Sequence, residues 1–127
     1  MNTNKETIRK LIAAFRNDSE MLELLEDALH SFQEYHAAIY TLELKKQLYA
    51  AGGMEADAYR AIVTELDRAR TSHHNAVLVQ VNVLNRMAKS QNLPPFYDGV
   101  VSEERPYRRE VANAVLEYVE DVILNRG

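Results

Sequence analysis

Residues 73–87 read HHNAVLVQVNVLNRM, and the secondary structure of this stretch decides the fold. With a period of two residues, the valines alternate with other side chains, as they would in a half-buried β-strand. Apolar residues three or four positions apart also form a continuous stripe through the same stretch, as they would on one face of a helix. A strand would need a partner for its backbone groups, and the only other extended-looking piece, residues 96–101, is interrupted by Asp98-Gly99. We therefore predict a helix.

Turn signals on either side of this helix divide the chain into four helical segments. They are Asn17-Asp18-Ser19, Gly52-Gly53 and the Pro-containing segment 92–99. The two long central segments are expected to form an antiparallel hairpin about the glycines. The pattern thus predicts an all-α fold, an up-down bundle of about four helices, in a single domain spanning residues 1–127.

Local signals predict where the helices begin and end. Thr3 and Glu6 have the spacing of a capping box for the first helix. Asp18 or Ser19 can cap the second helix, and Gly52 suits the left-handed residue after its end. The third helix is expected to begin near Glu55 and the fourth at Pro106. The predicted inward positions are Ile8, Leu11, Ile12 and Phe15; Leu22, Leu25, Leu29, Phe32, His36, Ile39, Tyr40 and Glu43; Tyr59, Ile62, Leu66, Ala69, His73, Val77, Gln80, Leu84 and Met87; and Val111, Val115, Tyr118, Val119 and Val122.

Apolar residues surround the third helix over residues 77–84. At 100° per residue they point in nearly every direction, and a helix that is apolar on all sides must be enclosed. We expect a homodimer in which a second copy covers part of this segment. The alternative is that helices one and four of the same chain wrap it completely.

Composition narrows the functional classes. A chain of 127 residues without cysteine has no disulfide scaffold and no thiolate chemistry, and it fits a reducing compartment. A net charge of −4 argues against a protein that coats nucleic acid. The charged N-terminus does not resemble a signal peptide, and no window reaches the roughly 18 apolar residues of a membrane span. We expect a cytoplasmic protein that binds no membrane, with nucleic-acid binding unlikely.

Polar residues on the two central helices form the first candidate site. An antiparallel hairpin brings His36 within about a turn of His73, with Glu43 on the same stripe as His36 and Arg70 beside His73. His74 is expected at a polar edge next to these residues. One interpretation is a buried, hydrogen-bonded layer that sets the helix register. The alternative is a small-molecule or metal site at these five residues.

Catalytic and metal motifs are incomplete. Asp27 and His30 have the spacing of the Glu-x-x-His of di-metal bundles, and Glu20, Glu23 and Glu26 imitate the Glu-x-x-Glu of helical nucleotide pyrophosphohydrolases. Both sets lie on the predicted polar face, and a second acidic motif is missing. There is also no Gly-x-Ser-x-Gly elbow and no glycine-rich phosphate loop. We predict no metal, no cofactor and no enzymatic activity.

The charges of the fourth helix oppose its dipole. Arg105, Arg108 and Arg109 crowd its N-terminus, where the macrodipole is already positive. One explanation is local pairing with Glu103, Glu104 and Glu110 or with a neighbouring helix. The other is a site for an anion or an acidic partner at the three arginines.

Four sequence runs carry a resemblance to a known family: LDRARTSHHNAVLVQVNVLNRM, LPPFYDG, RREVANAV and the terminal NRG. Over about the C-terminal half of the chain, they resemble a family of small bacterial helical proteins whose function is unassigned. The resemblance implies an all-helical fold and a bacterial source, and it assigns no site residues. We expect a non-enzymatic, homodimerising or protein-binding module; the alternative is the small-molecule or metal-binding bundle around His36 and His73.

Overall fold

Four α-helices make up most of the computed structural model, which describes residues 3–124. They are α1 (Lys5–Ala14), α2 (Ser19–Ala50), α3 (Ala56–Ser90) and α4 (Arg105–Tyr118), and α4 continues into a π-helical segment (Val119–Leu124). Among the described residues, the β structure is limited to an isolated bridge between Thr3 and Tyr97. The predicted all-α fold is confirmed, and HHNAVLVQVNVLNRM is helical throughout. The terminal NRG lies outside the described residues.

The antiparallel hairpin of α2 and α3 is also confirmed. Near its turn, the rings of Tyr49 and Tyr59 stack with centroids 4.1 Å apart, and farther along, the rings of Tyr35 and His74 lie 5.3 Å apart. At 1.5 Å per residue, helices of 32 and 35 residues extend about 50 Å. No helix within residues 3–124 is both long and apolar enough to cross a bilayer.

Both ends of α2 follow the predicted local signals. The Asp18 carboxylate accepts a hydrogen bond from the Met21 amide at 3.2 Å. Gly52 takes the left-handed conformation (φ 78°), and the Gly53 amide then reaches the Leu48 carbonyl at 2.8 Å. This pattern satisfies carbonyl groups that the helix end would otherwise leave unpaired.

The predicted capping box of α1 is wrong, because Asn4 rather than Thr3 is the cap. The Asn4 side-chain oxygen accepts from the Glu6 amide at 3.0 Å. Thr3 is instead held in an extended bridge with Tyr97, and the Asn4 amide donates to the Phe96 carbonyl at 2.8 Å. This pairing with a distant segment moves the start of the helix by one residue.

An aromatic cluster at the centre of the core includes residues from the connection between α3 and α4. Phe96 stacks on Phe32 of α2 with ring centroids 5.6 Å apart, and it meets Tyr118 of α4 edge-on at 5.0 Å. Asn85 of α3 secures this connection, because its amide donates to the Tyr97 carbonyl and accepts from the Tyr97 amide, both at 3.1 Å. The segment after the two prolines is therefore a core element.

The predicted inward positions need some corrections. On α4 and its continuation, Val111, Val115, Tyr118 and Val119 are buried as expected. Ile12, Tyr40 and Glu43 are exposed, and Tyr35 and Leu42 are buried instead. On α2 the buried face is thus rotated from the predicted stripe.

The rest of the chain covers nearly all of the valine segment of α3. Val77, Leu78, Val81 and Leu84 are buried within the single chain, whereas Val79 is 59% exposed. Wrapping by the chain's own helices therefore accounts for the apolar residues of this segment except Val79. The homodimer expected from it stays a prediction.

Candidate functional site

A pocket of about 350 Å³ lies between α2, α3 and the N-terminal end of α4. It unites residues that the sequence placed in two separate candidate sites. Arg70 and His74 come from the first, and the three arginines of α4 come from the second. The complete lining is Tyr35, Arg70, His74, Arg105, Arg108, Arg109, Ala112 and Asn113, and we call it the arginine pocket.

Helical spacing explains how these side chains converge. Residues three or four apart lie on the same face of a helix. The three arginines of α4 therefore share the face of that helix that lines the pocket; they are Arg105, Arg108 and Arg109. On α3, Arg70 and His74 share a face in the same way. The positive end of the α4 dipole lies at the same place as the three α4 arginines.

His74 forms a buried wall of the pocket and is only 8% exposed. Its Nε2 lies 3.2 Å from the Arg108 carbonyl oxygen, and because a carbonyl only accepts, Nε2 carries the hydrogen. Burial lowers the pKa of His74, the bond to the Arg108 carbonyl opposes this, and the charges of Arg108 and Arg70 lower the pKa further. The fold therefore favours a neutral imidazole here.

Tyr35 lies against His74 on the α2 side of the pocket and is also buried. Burial raises the pKa of its hydroxyl, and the charges of Arg70 and Arg108 oppose that rise. The side chain stays a neutral phenol near neutral pH, with a hydroxyl that can donate or accept a hydrogen bond.

The positive charge of the pocket is only partly compensated. Asp67 accepts from the Nε and Nη2 atoms of Arg70 at 3.0 and 2.9 Å. Arg105, Arg108 and Arg109 form no ion pair with any carboxylate in the described part of the chain. The predicted pairing with neighbouring glutamates is therefore not observed there, and of the four arginines only Arg70 has a described carboxylate partner.

The other predicted residues of the first site, His36, Glu43 and His73, do not line the arginine pocket. His36 Nε2 lies 3.3 Å from Glu120 of the π-helical segment, and His73 Nδ1 lies 3.6 Å from Glu34 of α2. Both histidines are partly exposed, so the predicted buried layer is wrong.

Glu43 is exposed and pairs with Lys46 at 3.4 Å. The predicted inward position of His73 and edge position of His74 are also reversed. His74 is buried against Tyr35, and His73 is partly exposed.

The remaining acidic motifs lie on the surface, as predicted. Glu20, Glu23, Glu26, Asp27 and His30 are all exposed. His30 pairs with Glu34 at 2.8 Å rather than with Asp27. Within residues 3–124, no group of three or more carboxylates, histidines or cysteines has an arrangement that could hold a metal ion.

A second pocket of about 460 Å³ begins on the other side of Arg108, which lines both. One wall is the outer face of α3, where exposed Val79 lies between two asparagines. The other wall is the segment that leads into α4. We call this second pocket the Val79 groove; besides Arg108 its lining is Asn75, Leu78, Val79, Asn82, Val101, Ser102 and Glu103. The sequence placed no site here.

The chain belongs to the family described as "Protein of unknown function (DUF3232)", whose model matches residues 1–126. The predicted membership of a family of unassigned function is thus confirmed. The match is not limited to the C-terminal half of the chain, because it covers the N-terminal half as well. The description gives no source, so the bacterial origin stays a prediction. The chain matches no curated protein and no solved structure.

Proposed function

We propose that the protein is a non-enzymatic binding module that takes an anionic group, above all a phosphate, into the arginine pocket. The observation that carries this proposal is the convergence of four arginines, three of them without a described carboxylate partner, on one cavity. Cations gathered at the positive end of a helix repel one another, and a bound anion removes this repulsion.

The number of donors favours phosphate over carboxylate. One guanidinium satisfies a carboxylate through two parallel hydrogen bonds. A phosphate carries up to two charges and three terminal oxygens, and it can therefore accept from several arginines at once. The Tyr35 hydroxyl offers a further neutral hydrogen-bonding group at the pocket wall.

The chemical groups that line the arginine pocket favour binding over catalysis. Besides Ala112, the lining consists of four arginines, a phenol, an amide and a histidine whose Nε2 donates to a backbone carbonyl. Among the described lining residues there is no carboxylate and no serine, threonine or cysteine to act as a nucleophile. The cysteine-free composition supports the cytoplasm as the compartment.

Titration with inorganic phosphate, followed by amide NMR at low ionic strength, tests the proposal. Shifts should concentrate on the first turn of α4 and around residues 70 and 74. Arg108→Gln is expected to weaken binding about tenfold or more, because a charge-assisted hydrogen bond contributes about 1.5–3 kcal/mol.

The matched control is Arg68→Gln, which removes the same charge from an exposed position of α3 outside the pocket. Equal losses in the two variants, or no shifts at the pocket, would show that phosphate has no specific site here.

A second candidate function, homodimerisation, is favoured by the outer part of the α2–α3 hairpin. From residue 43 to residue 73, all within the described chain, no residue is buried. Tyr40, Leu44 and Leu48 form an exposed apolar stripe at four-residue spacing on α2. Two such hairpins from two copies would complete a four-helix bundle.

A second copy fits this stripe because a twofold interface must be self-complementary. The outer part of the hairpin carries charges of both signs, which suits a self-complementary interface; they are Glu43, Lys45, Lys46, Asp57 and Arg60. Sedimentation equilibrium of Leu44→Glu should show dissociation to monomers. The control Leu24→Glu changes a leucine of equal exposure (44% against 42%) outside the stripe. A parent chain that is monomeric at high micromolar concentration refutes the dimer.

A further inference from the structure

We infer that the arginine pocket and the Val79 groove form one site for a sugar phosphate, free or within a nucleotide. The phosphate lies among the arginines and the hydroxylated body lies in the groove beyond Arg108. This inference rests on the proposed function and adds the class of ligand. Its first support is that Arg108 lines both cavities, so a ligand held by this side chain can extend to either side.

The polar groups of the groove match a hydroxylated body. Asn75 and Asn82 lie two turns apart on α3, and their amides both donate and accept hydrogen bonds. Glu103, on the opposite wall, has a carboxylate that can accept hydrogen bonds from sugar hydroxyls. Within residues 3–124, these three side chains form no hydrogen bond with the protein and are available to a ligand.

The apolar groups between them match the carbon face of a sugar or the ring of a base. Val79 is 59% exposed at the centre of the groove, and Leu78 and Val101 also line it. Among the apolar residues of segment 77–84, Val79 is the one that is exposed in the single chain. A flat, partly apolar ligand body would cover it.

The charges set the direction of the ligand. The guanidinium groups of Arg70, Arg105 and Arg109 line the arginine pocket together with Arg108, and the Glu103 carboxylate lines the Val79 groove. A phosphate is attracted to the arginines and repelled by the carboxylate, so the neutral body is left in the groove. Each cavity alone is near the lower end of the range of about 300–1,000 Å³ for small-molecule sites, and the two together stay within it.

Calorimetric or NMR titration with inorganic phosphate, ribose 5-phosphate and AMP tests this inference. Ribose 5-phosphate is expected to bind at least tenfold more tightly than inorganic phosphate. Asn82→Ala and Val79→Asp, both at exposed positions, should bring this ratio close to one. Arg109→Gln should weaken both ligands and leave the ratio intact. The control Gln47→Ala removes an exposed carboxamide at the hairpin tip and should alter neither affinity.

The outcomes separate the two proposals. If inorganic phosphate binds at the arginines and ribose 5-phosphate binds no more tightly, the sugar-phosphate inference is overturned and the proposed function stands. If neither binds, both fall. If ribose 5-phosphate binds tightly and AMP binds at least as well, the ligand is a nucleotide. If AMP is excluded, it is a free sugar phosphate.

Discussion

Replacing Asn85 with alanine should destabilise the fold more than any other asparagine substitution on α3. Both hydrogen bonds of the Asn85 amide go to the backbone of Tyr97, a residue that is 1% exposed. Without the amide, the Tyr97 N–H and C=O lose their partner in the interior, and each unpaired buried group costs about 1–3 kcal/mol. Alanine recovers up to about 0.7 kcal/mol through its higher helix propensity. The expected net loss is therefore about 1–5 kcal/mol.

Urea unfolding followed by circular dichroism measures this loss directly. Asn82→Ala is the matched control, because it makes the same change on the same helix at an exposed position without a hydrogen bond to the described chain. That variant should be neutral or slightly more stable. The difference between the two variants isolates the Tyr97 contacts. If Asn85→Ala is as stable as Asn82→Ala, the connection between α3 and α4 is not held by this amide.

Three further predictions concern acid stability, the core and the hairpin turn. The parent should lose stability as pH falls below about 6.5, because burial lowers the pKa of His74 in the folded protein and the unfolded chain therefore takes up the proton first. Between about pH 8 and pH 5, His74→Gln should show a smaller fall of the urea midpoint than the parent, and parallel profiles would contradict the assignment to His74. Phe32→Ala should cost about 3–5 kcal/mol, because the ring is fully buried against Phe96, whereas Leu24→Ala at an exposed position should cost well under half as much in the same assay. Gly52→Ala should cost about 1–2 kcal/mol, because alanine disfavours the φ of 78° found there, although its Cβ would clash with nothing. A thermal midpoint equal to that of the parent would show that the turn relaxes.

Features determined by local chemistry could be predicted from the sequence. The apolar period of α3 distinguishes helix from strand, and Asp18 and Gly52 mark the ends of α2 with no help from the rest of the chain. Thr3 was misassigned because its conformation depends on Tyr97, a residue almost at the other end of the sequence. Phe96 was missed as a core residue because it belongs to a Pro-rich connection, and only tertiary packing shows that this segment is buried.

The candidate site could be predicted in part. The three arginines of α4 are predicted as a site because they oppose the helix dipole, and they do line the arginine pocket. His73 and His74 differ by 100° around α3, and the exact rotation depends on which of them packs against Tyr35. That contact, and the way α4 crosses α3 to join Arg70 to the α4 arginines, are properties of the packed helices. No spacing within a single helix encodes them.

The uncovered outer half of the α2–α3 hairpin implies that stability is unevenly distributed along the molecule. Amide hydrogens exchange with solvent when a helix opens locally, and opening is easiest where few buried side chains must separate. Protection should therefore rise stepwise from the Gly52 turn towards the aromatic cluster at Phe96. On α2, the last buried side chain before the turn is Leu42, which is 6% exposed. Within the single chain, the tip of the hairpin around Gly52 should therefore open more readily than the part beside the arginine pocket, where Tyr35 and His74 are buried.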